Sequence, residues 1–286
     1  METPQTADLF DERARWERLV PITLERLRTF EPPEGYVLAY SGGKDSDLLL
    51  HMARLAGVRF EAVHHLTTID PPEVVRYVRR QPEVTCTRPR ESMVRLIERK
   101  GLPSAMRRWC CEKLKEHKYP DRIVLTGIRW SESTRRAARR MVETNTRCRT
   151  QRFLHPLLDW RVADVWGCLR THGVETCSLY AEGYRRIGCV CCPLGTHGHA
   201  EALRWPHIAG AMRRAFWRYC DAHPGRIEDR ERMWDRFLAG ELGRRGRKPQ
   251  GCPLFADARD GEEASPPPHR ALRASTITEA AGAAGE

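Results

Sequence analysis

The chain has 286 residues and 41% hydrophobic content, room for one large α/β domain or two small ones with an ordinary buried core. Charges stud the first twenty positions, among them Asp8, Asp11, Glu12, Arg13 and Arg15, and no later apolar run approaches the roughly 20 residues of a membrane span, which argues against a leader core or a spanning helix and sets the cytoplasm as the expected location. A formal charge of +11 favours polyanionic partners, nucleotide or nucleic acid, although only six of the 49 basic residues are lysine and such an arginine excess also follows from coding bias.

In chain order, residues 9–29 mix charges with Leu19, Ile22, Leu24 and Leu27 at helical spacing, and Pro32-Pro33 closes this leading helix. Tyr36 to Tyr40 is an apolar run of strand length, followed by a glycine loop and a helix over Asp47 to Leu55. The alternation repeats: strand Arg59 to Leu66, helix Pro72 to Arg80, strand Val84 to Thr87, helix Ser92 to Lys100, strand Arg122 to Gly127, then a basic helix Ser131 to Arg140. Strands alternating with helices predict an α/β fold, a Rossmann-like doubly wound and mainly parallel sheet that binds ligands beyond the carboxyl ends of its strands. From Phe153 onward Trp- and Cys-rich segments predict a helical extension, with helices at Val162 to His172, Glu201 to Ala222 and Ile227 to Leu238. The expected division is a leading helix at 1–30, a nucleotide-binding α/β domain at 31–150, a Cys/Trp-rich extension at 151–255 and a disordered tail at 256–286, where Pro266-Pro267-Pro268 and small polar residues cannot bury enough apolar area to offset chain entropy.

The loop Ser41-Gly42-Gly43-Lys44-Asp45-Ser46 has the parts of a phosphate cradle. Two glycines let the backbone approach an anion, Lys44 adds a point charge, Ser41 and Ser46 bring hydroxyl donors, and the helix that follows presents free N–H groups at its positive end. It lacks the spacing of a Walker A loop.

Cysteines supply a second constellation. Cys110-Cys111 is followed, after 77 intervening residues, by Cys189-Val190-Cys191-Cys192, so two loops offer four thiolates. Cys110, Cys111, Cys189 and Cys192 make the ligand set of a 4Fe-4S cluster; the same four suit a closed Zn2+ site, and Cys191 leaves the register open because it can replace either neighbour.

The hexapeptide at 41–46 resembles the motif of the PP-loop ATP pyrophosphatase superfamily, and Thr126-Gly127-Ile128-Arg129 resembles the Thr-Gly-x-Arg segment of its phosphoadenosine phosphosulfate reductase family. The paired cysteines look like those of its cluster-containing adenylyl-sulfate reductases. This resemblance implies ATP bound with Mg2+, Thr67 and Asp70 beside the adenosine, close backbone approach at Gly127, a phosphate or sulfate contact from Arg129, and Asp45 aiding the metal. It further implies cleavage of ATP at the α-phosphorus, with Lys44, Asp45 and Arg129 as the catalytic group, an acceptor that includes nucleic acid among its candidates, and a cysteine desulfurase as sulfur donor. Two other readings stay open. A reductase of adenylyl sulfate or its 3′-phosphate needs a late Glu-Cys-Gly-Leu-His segment, and the sequence has instead only Cys252 followed by Pro253. A non-catalytic nucleotide-binding module with a four-cysteine zinc site would leave the loop a relic.

Overall fold

The computed structural model describes residues 12–195 and 197–243. The chain runs through α1 (Glu12–Thr29), β1 (Tyr36–Ala39), α2 (Lys44–Ala56), β2 (Phe60–His65), α3 (Pro72–Arg79), β3 (Val84–Thr87), α4 (Met93–Lys100), α5 (Trp109–Leu114) and β4 (Ile123–Leu125). A 3-10 turn (Trp130–Glu132), α6 (Thr134–Ala137), β5 (Val142–Asn145) and β6 (Cys148–Leu154) complete the sheet. Then come α7 (Val162–Thr171), a second 3-10 turn (Ser178–Tyr180), α8 (Gly198–Arg204), α9 (Pro206–Ala222) and α10 (Arg230–Leu238).

The strand order is β3-β2-β1-β4-β6-β5, parallel throughout except for β5, which pairs antiparallel with β6. Leu38 is in register with Ala62 on one side and Leu125 on the other, so the central strand is paired along both edges and buried on both faces, as its unbroken apolar run requires. Order reverses between β1 and β4. In a doubly wound sheet that reversal opens a crevice at the strands' carboxyl ends, and here the two loops leaving it are 41–46 and 126–129.

Local chemistry sets the element ends. Gly57 closes α2 in the left-handed region at φ 70°, Pro72 opens α3 at a position where its missing N–H costs nothing, and the Ser92 hydroxyl caps α4 by accepting from Arg95 N at 3.4 Å. Leu48, Leu49 and Met52 on α2 are fully buried, each contributing about 1.5–3 kcal/mol by leaving water. Helix α1 packs on α2 and α7, and its polar side chains tie it down: Arg26 grips the Asp159 carboxylate with two bonds of 2.8 and 2.9 Å, while Trp160 Nε1 donates to Thr23 Oγ1 at 3.0 Å.

Some local expectations need correction. The basic helix at 131–140 is a 3-10 turn and the four-residue α6, followed by the β5–β6 hairpin. Strand β6 hides in the sequence because Arg149, Thr150 and Arg152 interrupt its apolar pattern, yet it crosses the expected boundary at residue 150, pairs with β4 from Arg152 to Leu154 and is integral to the sheet. The single helix at 201–222 is two, broken at Trp205 where Pro206 cannot supply an N–H to the preceding turn. Helix α10 starts at Arg230, not 227, because the Asp229 carboxylate accepts from Arg232 N at 2.9 Å and caps it there. The expected tail at 256–286 and Cys252 lie outside the described residues.

Candidate functional site

The loop leaving β1 is held in shape by its own side chains. Gly42 sits at φ +76°, and a Cβ there would meet Val78 Cγ2 at 2.8 Å, so position 42 admits only glycine without displacing α3. Ser46 Oγ accepts from Ser41 N (3.2 Å) and Gly43 N (3.1 Å) and donates to the Gly43 carbonyl (2.7 Å). Lys44 N donates to Tyr180 Oη at 2.8 Å, and Lys44 Nζ reaches the Arg185 carbonyl at 3.3 Å. The N–H groups at 41, 43 and 44 therefore bond hydroxyl oxygens, the same acceptor geometry that a phosphate oxygen offers.

The loop leaving β4 meets the first one from the side. A Cβ on Gly127 would lie 2.9 Å from the Asp45 carbonyl, so the two backbones touch there. Arg129, only 2% exposed, donates from Nε to Asp45 Oδ1 at 2.7 Å and from Nη1 to Ser131 Oγ at 2.9 Å. Asp45 Oδ2 is also 3.6 Å from Lys44 Nζ, so one carboxylate stands between both cations of the site. Behind the loop, Asp47 is buried: Tyr40 Oη donates to its Oδ1 at 2.5 Å, while Oδ2 has no hydrogen-bond partner among the described residues. Burial pushes its carboxyl up to about 7, against the opposing Tyr40 hydrogen bond and with help from the Asp45 charge.

Thr67 and Asp70, expected beside adenosine, bond to each other. Asp70 accepts from Thr67 N at 2.6 Å and from Thr67 Oγ1 at 2.7 Å. Between them Thr68 is forced to φ +66°, a position β-branched residues rarely adopt. The same turn holds the cysteine loop: Cys189 Sγ donates to Thr67 Oγ1 at 3.5 Å, and Val190 N to the Ile69 carbonyl at 2.9 Å.

Helix α5, which sequence patterning did not reveal, carries Cys110 and Cys111 to face this loop. Cys110 hydrogen-bonds Cys111 and feels the charges of Cys189 and Cys192, which brings the four expected thiols into one neighbourhood. The bond from Cys110, together with the Arg108 guanidinium, draws the Cys111 thiol down to about 5. Lys115 hydrogen-bonds Cys189. Crowding disfavours its charge, but Cys189 and Asp70 outweigh that and raise its pKa. Cys191 turns away: its Sγ donates to the Gly198 carbonyl at 3.5 Å, its N to Glu201 at 2.6 Å, and it is buried at φ +53°. Among the described residues no group of three or more His, Cys, Asp or Glu side chains converges closely enough to hold a metal ion.

A phosphoadenosine phosphosulfate reductase domain model matches residues 35–194, more than half of the chain, from just before β1 through the second cysteine loop. The chain belongs to the phosphoadenosine phosphosulfate reductase family. Membership supports a nucleotide-binding enzyme with the Rossmann-like sheet described above. Proteins of Methanocaldococcus jannaschii and Escherichia phage 186 resemble it: an uncharacterized archaeal protein is 28% identical over 203 residues (65% of this chain, 42% of the relative), and an uncharacterized 37.8 kDa phage protein is 31% identical over 122 residues (36% of each). The chain thus spans less than half the length of these curated relatives. In fold, it is similar to the phosphoadenylyl-sulfate reductase of Candida auris (19% identity, 66% of this chain and 97% of that one, TM-score 0.47) and to the FMN adenylyltransferase of Candida glabrata (18%, 65% and 66%, TM-score 0.48). No helix among the described residues is long and apolar enough to cross a membrane.

Tyr180 is the site residue that sequence reasoning passed over. It is 2% exposed, lies in the 3-10 turn after Cys177 and packs edge-on against Trp166. The only signal is its place in the short segment Thr176 to Tyr180, which draws notice for its cysteine.

Proposed function

We propose that this chain is an ATP pyrophosphatase of the sulfurtransferase type, which adenylates an acceptor so that sulfur can replace the activated oxygen. The observation that carries this reading is the Cys189–Thr67 contact, which joins the thiol neighbourhood to the turn beyond β2, at the same end of the sheet as the nucleotide loop.

In this reading the loop N–H groups and Lys44 hold the phosphates, and Ser41 and Ser46 orient them. Arg129 exchanges its Asp45 partner for a phosphate oxygen, which frees the Asp45 carboxylate to hold Mg2+. An acceptor oxygen attacks the α-phosphorus, the bond from that phosphorus to the bridging oxygen breaks, and pyrophosphate leaves carrying the electron pair. The terminal sulfur of a cysteine persulfide, delivered from a cysteine desulfurase, then attacks the activated carbon and AMP leaves with the acceptor oxygen; a second thiol attacks the resulting acceptor–S–S–cysteine bridge, which releases the thiolated acceptor and leaves a disulfide for an external dithiol to reduce. Lys44 and Arg129 stabilise the charge that develops on the phosphates.

Cys110, Cys111, Cys189 and Cys192 are neighbours that do not converge on one metal position, but their donor chemistry suits a thiolate-bound centre, either a 4Fe-4S cluster or Zn2+, which these four residues would hold on drawing together. When bound, a cluster would supply a site for holding sulfur. Lys115, bonded to Cys189, offsets the negative charge that such thiolates gather.

The test is pyrophosphate release from ATP with labelled cysteine, a desulfurase and candidate acceptors, in wild type and Lys44→Ala. Release lost in the variant supports the reading. Sulfite release from adenylyl sulfate in the presence of thioredoxin, without ATP cleavage, would replace it with the reductase reading that the family model also favours. Anaerobic protein carrying about four irons per chain supports the cluster, and colourless protein with one zinc would sink it.

A further inference from the structure

Beside α5 lies an open cavity of about 820 Å³. Seven arginine and lysine side chains line it against two carboxylates, Glu112 and Glu116. Some of these cations are already engaged: Arg147 with Glu116 at 2.9 Å, Arg108 with Glu116 at 3.8 Å, and Arg99 with Glu91, outside the cavity. Lys100, Arg107, Arg135 and Arg226 have no carboxylate partner among the described residues. They come from four separate places, the end of α4, the approach to α5, helix α6 and the α9–α10 connection.

Holding four unpaired cations around one concavity costs repulsion that a stable fold does not need. A single small anion would engage two or three of them. Their origin in four separate segments instead suits an extended chain of phosphates. Trp109, half-buried, lines the same cavity and supplies an aromatic face for a base. Helix α6 enters for a specific reason: of its neighbouring arginines, Arg136 pairs with Glu132 and Arg139 with Glu143, which leaves Arg135 to face the cavity.

The cavity is tied to the thiols, since Arg108 lines it and hydrogen-bonds Cys111. None of residues 41–46 lines it, so a nucleotide in the loop and a ligand here would not share a site.

From this arrangement we infer that the cavity binds single-stranded nucleic acid, with phosphates on Lys100, Arg107, Arg135 and Arg226 and a base stacked on Trp109. A single strand leaves its bases free to stack on Trp109, whereas a duplex keeps them paired inside the helix. This deepens the proposed function by naming its acceptor class, and it rests on that reading for the reaction but not for the binding.

The test is the binding of fluorescent single strands of about 12 nucleotides, DNA and RNA, to the full chain, with salt titration. Arg107→Glu combined with Arg226→Glu should lower affinity about ten-fold or more and flatten the salt dependence by about 0.7 in log–log slope per cation lost, while ATP binding stays within about two-fold. Trp109→Ala should weaken binding without changing the slope. In Lys44→Ala, strand binding should persist although ATP binding falls; loss of ATP binding in wild type itself would count against the proposed function and leave this inference standing. Equal binding of duplex, full competition by inorganic pyrophosphate, or indifference to the double charge reversal would each overturn the inference.

Discussion

Arg129 Nε donates to Asp45 Oδ1 at 2.7 Å, joining the two loops that leave the central strands across the point where sheet order reverses. Because the guanidinium is almost wholly buried and the carboxylate is about one-quarter exposed, the pair is valuable chiefly for what its removal would leave behind. Asp45→Ala should strand a buried cation whose remaining side-chain acceptor is Ser131 Oγ and cost about 2 kcal/mol, less than the roughly 3–5 kcal/mol of a fully buried pair. Asp45→Asn keeps an acceptor for Nε and should cost less. Urea unfolding of both variants measures the difference; equal stability would show that the pair does not hold the loops together.

Asp47 makes stability depend on pH in a defined direction. Its folded-state pKa of about 7 lies above the ordinary carboxylate value, so the folded protein holds this proton more tightly than the unfolded chain. The resulting stabilisation is complete below about pH 4 and is lost as pH rises to about 7. Asp47→Asn removes this dependence. Relative to the variant, wild type should therefore lose ground in urea midpoint between about pH 4 and about pH 7, and a constant gap across that window would refute the assignment.

Tyr180 Oη occupies the acceptor position of the Lys44 N–H. Tyr180→Phe should leave that buried donor unpaired at a cost of about 1–3 kcal/mol in the free protein. Nucleotide restores an acceptor if a phosphate takes the position, so ATP should raise the melting temperature of the variant more than that of wild type. Equal shifts would mean that the phosphate binds elsewhere.

At the cysteines, the contrast lies between neighbours. Cys191→Ser should keep the metal content of anaerobically purified protein, because that thiol faces the Gly198 carbonyl, whereas Cys189→Ser should lose it. The opposite pattern would put Cys191 in the ligand set.

Much of the sheet was legible because its strands are apolar runs bounded by glycine, proline and caps: β1, β2, β3 and β4 lie within a residue or two of their expected limits. Strand β6 was not, since four of its seven residues are polar or charged and its place is fixed by pairing with β4, a contact no local pattern records. The loop at 41–46 was legible as a motif. Its partners Tyr180 and the Arg185 carbonyl come from about 140 residues away and carry no spacing rule. Thr67 and Asp70 show the same limit: the resemblance supplied a role, while the structure shows a turn whose carboxylate is engaged by its own threonine.

The contact between Cys189 and Thr67 spans 122 residues of chain. During translation at about 5–20 residues per second, the turn beyond β2 therefore waits roughly 6–24 s for the cysteines that complete it. Cys110 and Cys111 emerge early in that interval with no partners from the later loop. The four thiols can therefore meet only after the later loop has been made, and until then Cys110 and Cys111 stand without half of the constellation.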